Sequence, residues 1–247
     1  RLIHLFERRT MADLSRIHKI SFFEAEEDVY LLFHIFSSAL LVFVFPFVED
    51  LWPYFYPDGE LSKREQKRIM RFYKACVQRH LYEFGQGRRF LSKNPVFSGM
   101  IECLNETFPD VQFVCMVRSP LEVAPSVMSL YQSYSTVFLS TVDPAPLRQA
   151  ACRLMALYYR YPLEKLQALP PQRQMVISYP VLMADLKATV EDLYRRFGLE
   201  LTPAYQQLLQ DEAAKSLRYK SNHFYSLEQF GFTREQILQD FRDIFER

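Results

Sequence analysis

Glycine is scarce in this chain: six residues in 247, and none before Gly59. A phosphate-cradling loop needs glycines wherever the backbone must turn tightly and approach the anion, so residues 1–58 contain no such loop. The later Gly85-Gln86-Gly87 is too isolated to serve as one. Cysteine is also sparse. Cys76, Cys103, Cys115 and Cys152 are far apart and show no CxxC or Cys/His ligand spacing. That excludes a disulfide framework and a zinc ribbon, and reads as free buried thiols in a reducing compartment. Net charge is nearly absent, +1 from 30 basic and 29 acidic residues, so no whole-surface attraction to nucleic acid or acidic lipid is expected. Walker, dinucleotide-binding, HExxH, GxSxG and EF-hand patterns are all missing, which removes the common hydrolase, dehydrogenase and metal templates.

Long hydrophobic runs are limited to Val29–Val48. His34, Ser37 and Ser38 interrupt it, Pro46 closes its dense part, and both flanks are acidic rather than basic. It reads as a buried core helix, not a membrane span. The chain opens at Arg1 with neither an initiator Met nor a signal peptide, and reads as a fragment without its natural N-terminus.

What is present is organised around Arg88–Leu130. A short apolar run, Arg89–Ser92, reads as a first strand and leads into Lys93-Asn94-Pro95; a helix is expected over about Phe97–Phe108, closed by Pro109-Asp110. Phe113–Val117 is a continuous apolar run, the pattern of a parallel strand buried on both faces. Arg118-Ser119-Pro120 follows, with Ser119 and Glu122 spaced as a capping box and Pro120 at the first helical position. Ligands of open α/β sheets sit at the carboxyl ends of strands, near helix N-termini that favour anions. Lys93, Arg118 and Ser126 therefore form a candidate anion site: an Arg fork and a Ser hydroxyl can grip one phosphate together. The same residues read equally as a salt bridge and an ordinary helical serine.

Elsewhere, residues 1–20 space apolar residues as an amphipathic helix would, and Ser21 can start another. The cluster Glu24, Glu26, Glu27 and Asp28 suits a helix's first turn or, alternatively, supplies a general base. Leu51–Gly59 reads as an aromatic, proline-containing loop. Ser62 should cap a long helix reaching about Phe84, whose cations make a solvated face. Asp143-Pro144 opens a helix towards Leu169, disturbed at Pro162. Met175–Tyr179 is a further strand with Tyr179 at its end. Helices follow over about Leu182–Phe197, capped by Gly198, from Thr202-Pro203 to about Ala214, and from Thr233.

In order, Lys93-Asn94-Pro95, Phe108-Pro109-Asp110, Val117-Arg118-Ser119-Pro120 with Ser126, Tyr179-Pro-Val-Leu182 and Tyr194-Arg-Arg-Phe-Gly-Leu199 resemble the sulfotransferases that use 3'-phosphoadenosine 5'-phosphosulfate (PAPS), in their bacterial-type carbohydrate and small-molecule branch. His223–Gly231 is similar to a C-terminal segment of that branch, and Glu26-Glu27-Asp28 before an apolar helix resembles it more loosely. Ser119 departs from the commoner acidic or amide residue. The resemblance implies an α/β fold, a parallel sheet flanked by helices of the P-loop nucleotide-kinase-like kind. Its first strand and glycine-containing phosphosulfate loop would be lacking here. It also implies a single domain over 1–247, with an acceptor-side helical part to about residue 87 and a cofactor-binding part from about 88.

By the same resemblance Arg118 and Ser126 would bind the donor's 3'-phosphate, Tyr179 would lie near its adenine, and Lys93 would steady the leaving 5'-phosphate. Glu27, with Glu26 next, would be the base; His223 and His18 are outside candidates. PAPS would be the co-substrate, with no metal. The acceptor would be a small molecule or carbohydrate, with no nucleic acid partner, no membrane attachment of this chain and a cytoplasmic location. Two alternatives stand beside this reading: a kinase-like phosphotransferase, and a non-catalytic interaction protein that keeps the fold.

Overall fold

The computed structural model describes residues 26–43, 45, 48–138, 144–216 and 226–246. The expected helices over 1–20 and from Ser21, together with His18, His223 and the Asp143 cap, lie outside them. Two 3-10 segments, Asp28–Ile35 and Ala39–Phe43, come first. The helices α1 (Val48–Phe55), α2 (Pro57–Glu60), α3 (Lys63–Phe84) and α4 (Ile101–Thr107) lead to strand β1 (Phe113–Val117). Then come α5 (Pro120–Phe138), α6 (Pro144–Gln167) and strand β2 (Gln174–Ser178), and after it α7 (Tyr179–Ala184), α8 (Leu186–Phe197), α9 (Pro203–Ser216), α10 (Arg234–Asp240) and α11 (Arg242–Phe245). The chain divides into two compact units, residues 1–107 with 126–158, and residues 108–125 with 159–247.

In the first unit, α3 is the frame. Ser62 and Glu65 form the full reciprocal capping box at its start, and Ile69, Met70, Tyr73 and Val77 face inward at helical spacing. The apolar run before it is not one helix. Phe36 takes a left-handed conformation (φ 50°) and ends the first 3-10 segment. The Ser37 and Ser38 hydroxyls then bond local backbone at Ile35 and Leu40, diverting the chain from helical pairing. The run is nonetheless buried at Val29, Leu32 and Ala39–Val42. Leu51–Gly59 is not the expected loop but parts of α1 and α2, because Trp52 and Phe55, three apart, both turn inward. Asp58 on α2 accepts from the backbone N–H of Glu102 (2.8 Å) and Cys103 (2.9 Å), capping α4 from across the sequence.

The helix expected over 97–108 is split into a 3-10 turn, Pro95–Gly99, and α4. Gly99 separates the two where its backbone presses on Phe55; a Cβ there would lie 2.0 Å from the Phe55 carbonyl oxygen. Arg89–Ser92 is not a strand. It forms neither helix nor strand, and Leu91 is 91% exposed.

In the second unit β1 and β2 pair in parallel, Phe113 beside Gln174 through Val117 beside Ser178. Met175, Ile177 and Phe197 form a small core with Leu182, Leu193 and Leu199 against it. The expectation that β1 is buried on both faces fails. Val114 is 43% and Met116 48% exposed, because two strands are too few for helices to cover both sides of the sheet. Tyr179 is the first residue of α7 and not the last of a strand. Gly198 caps α8 at φ 63°, and Thr233 caps α10 through the Gln236 N–H.

Candidate functional site

The first unit brings Glu27 and Lys93 together across 66 residues of sequence: Lys93 Nζ donates to Glu27 Oε1 at 2.5 Å. The carboxylate is largely covered, while the ammonium is 77% exposed, so the cation can swing to another anion and the carboxylate stays in place. The next residue, Asp28, accepts from Tyr73 Oη (2.5 Å), Ser92 Oγ (2.9 Å) and Asn94 Nδ2 (2.9 Å). Burial first, and the Asp28 carboxylate second, hold the Tyr73 phenol well above its ordinary range. Asn94 Oδ1 also accepts from Val96 N–H, opening the turn at Pro95. Glu26 is exposed at the edge of this group.

Two aromatic hydroxyls complete the picture on this unit. Burial raises the Tyr131 phenol. It pushes the Tyr158 phenol further, with added repulsion from Tyr131 and Glu27. Tyr158 Oη is buried and has no hydrogen-bond partner among the described residues, and the Tyr131 ring packs 5.4 Å from that of Phe43. Of the two phenols, Tyr158 is close enough to feel the Glu27 charge. Pro162, four positions on in α6, has no N–H to give the Tyr158 carbonyl its helical bond.

The second unit places Arg118 directly after β1 and Tyr179 directly after β2, at the carboxyl ends of the paired strands. The guanidinium carbon lies 4.7 Å from the Tyr179 ring centroid, and Nε donates to Glu122 at 2.6 Å. Glu122 thus turns back to Arg118, where the expected capping box would have turned it to Ser119. Tyr159 Oη donates to the Arg118 carbonyl at 2.6 Å and pins the strand exit. One edge of the guanidinium is engaged and the side chain stays half exposed, which suits a planar fork that takes a further anion. Ser126, the residue at which α5 passes to the first unit, lies exposed about two turns into that helix. Among the described residues no three His, Cys, Asp or Glu side chains converge as metal ligands, and no helix is long and apolar enough to cross a membrane.

Sequence reasoning singled out Glu27, Lys93, Arg118 and Tyr179 and missed the groups that hold them. Tyr73, Ser92, Asn94 and Tyr159 carry no motif of their own. The only signals available were that Ser92 and Asn94 flank Lys93, and that Asp28 follows Glu27.

Comparison with known proteins covers most of the chain. The family model described as "Sulfotransferase family" matches residues 49–203. The omega-hydroxy-beta-dihydromenaquinone-9 sulfotransferases Stf3 of Mycobacterium bovis and Mycobacterium tuberculosis are each 28% identical over 142 residues. The match takes in 57% of this chain and 37% of theirs, so it spans little more than a third of these relatives. The crystal structure of sulfotransferase STF9 from Mycobacterium avium superposes with a TM-score of 0.76 at 18% identity, over 96% of this chain and 63% of that one. That of STF1 from Mycobacterium tuberculosis H37Rv gives 0.68 at 19%, over 97% and 62%. At these identities the likeness shows a shared α/β fold.

Proposed function

The chain belongs to the sulfotransferase family, and from that premise we propose that its site serves transfer of a sulfuryl group from PAPS to an acceptor hydroxyl, releasing 3',5'-ADP. The observation that carries the nucleotide half is Arg118 held beside Tyr179 at the ends of two parallel strands. A guanidinium fork suits the 3'-phosphate, and the tyrosine ring offers a face for adenine. Ser126, on the helix that Arg118 precedes, is the family's companion for that phosphate.

Bound PAPS would supply the activated sulfuryl group, so the protein's residues have only to manage a proton and a charge. Glu27 takes the proton of the acceptor hydroxyl as its oxygen attacks sulfur. Lys93 steadies the negative charge that collects on the 5'-phosphate oxygen as the sulfur–oxygen bond breaks. Their present pairing means that substrate entry has to part them, the flexible ammonium going to the donor and the enclosed carboxylate to the acceptor. Glu26, exposed beside them, is the reserve candidate for the base.

The acceptor is proposed to be a small apolar molecule carrying an alcohol. The buried Tyr158 phenol, close enough to feel the Glu27 charge, supports this, as does the menaquinone-derived acceptor for which the 28% identical Stf3 relatives are named.

Calorimetric titration with 3',5'-ADP tests the nucleotide half. Binding by the wild type and its loss in Arg118→Ala are expected; no binding, or binding unchanged in the variant, overturns the assignment. A magnesium requirement for turnover would point instead to phosphoryl transfer.

A further inference from the structure

The geometry points to Asp28 as the positioning residue that sets Lys93 against Glu27, an inference that rests on the roles proposed for those two side chains. Lys93 stands between Ser92 and Asn94, and both neighbours donate to one oxygen of Asp28, each at 2.9 Å. The other oxygen takes the Tyr73 hydroxyl at 2.5 Å. Asp28 is itself the residue after Glu27. The pair that would do the chemistry is thus flanked on both strands of chain by a second set of bonds that keeps the two segments in register.

Among the described residues these bonds flank Lys93 on both sides. Residues 88–94 form neither helix nor strand, so no backbone ladder holds Lys93. Leu91 is exposed and contributes no burial. The nearest anchors are Phe90, edge-on to His80 at 5.8 Å, and the buried Val96 and Phe97. The bonds at Ser92 and Asn94 fall between those anchors, on either side of Lys93.

The clamp is tied to a rigid element through Tyr73. That residue is buried on α3 and packs edge-to-face with Phe97 at 5.2 Å. Its hydroxyl remains a donor across the neutral range. All three partners donate and Asp28 only accepts, so a carboxylate is the one side chain of this size that satisfies them together. An amide in its place would turn an NH2 group towards at least one donor and lose that bond.

The test compares wild type with Asp28→Asn, Tyr73→Phe and Ser92→Ala in the full chain. It measures kcat and KM for sulfuryl transfer, 3',5'-ADP affinity, melting temperature, and trypsin cleavage after Lys93 relative to cleavage after Arg88 and Arg89. Asp28→Asn should lower kcat about 10–100-fold with KM for the donor within about threefold, a split that general loss of fold does not produce. Tyr73→Phe and Ser92→Ala, each removing one donor, should fall between it and wild type. Cleavage after Lys93 should rise at least about fivefold in Asp28→Asn against the two internal arginine sites.

If Asp28→Asn fails to fold, the same order of effects in the two single-donor variants carries the inference; kcat unchanged in both overturns it. If wild type transfers no sulfuryl group, the roles of Glu27 and Lys93 fall first. The protease result then decides alone: faster cleavage after Lys93 keeps the clamp, and an equal rate removes it.

Discussion

Arg118 and Tyr179 each follow a strand, and pairing of those strands brings the guanidinium carbon to 4.7 Å from the ring centroid. Planar stacking and a fork of donors are specific to arginine. Arg118→Lys keeps the charge but should still weaken 3',5'-ADP binding about tenfold, and Tyr179→Ala should weaken it by a similar factor. Tyr179→Phe, which retains a ring face, should stay within about threefold of wild type. Calorimetry measures all three.

Glu27 and Lys93 should separate from Arg118 in their kinetic signature. Replacing the base by Glu27→Gln is expected to cut kcat about 100–10,000-fold. Lys93→Ala, losing a cation from the leaving oxygen, should cost about 100–1,000-fold. Neither residue is proposed to touch the 3'-phosphate, so 3',5'-ADP affinity should change less than threefold in Glu27→Gln. Single-turnover transfer from labelled PAPS, set beside calorimetry, checks the separation.

Gly99 and Gly87 make a controlled pair. A methyl at Gly99 would meet the Phe55 carbonyl oxygen at 2.0 Å, whereas at Gly87 (φ 72°) it would meet nothing within 4 Å. Gly99→Ala should therefore cost about 1–3 kcal/mol and lower the melting temperature by several degrees. Gly87→Ala should cost only the left-handed backbone penalty, about 1 kcal/mol. Thermal unfolding of both variants ranks the two costs.

Alkaline pH should weaken the fold. Burial raises the Cys115 thiol from 9.0 to about 11. A group whose folded value is raised keeps its proton in the native state after the unfolded chain has lost it. Its stability is complete below pH 9 and drains away as pH rises to 11. The half-buried position limits this to roughly 1 kcal/mol. Denaturant midpoints at pH 8, 9, 10 and 11 should fall monotonically above 9. Above about 10 the raised phenols of Tyr73, Tyr131 and Tyr158 add to the decline.

Features set by neighbouring residues were legible in the sequence. Ser62 before α3, Pro120 after β1, Gly198 after α8 and Thr233 before α10 each need only a few adjacent positions, and each is where its pattern said. Glu27 and Lys93 were recognisable as chemical groups, but their meeting across 66 residues was not, because it is made by Asp28, Ser92 and Asn94, side chains with no periodicity. The break at Phe36 was hidden for a related reason. Uniform apolar character over Val29–Val48 reports burial and says little about helical type, which two serine hydroxyls decide locally. The strand expected at Arg89–Ser92 had the right residue types, but a strand is defined by a partner, and composition does not supply one.

The exposed apolar residues of the β1–β2 sheet, Val114 and Met116 on one face and Val176 on the other, set how this chain must be handled. Val114, Met116 and Val176 offer water an apolar surface at a formal charge of only +1, so little repulsion keeps two molecules apart near neutral pH. These three side chains will then add to the tendency of the chain to associate. Concentrated solutions of the wild type should scatter light, and a Met116→Lys substitution should clear them with little change in melting temperature.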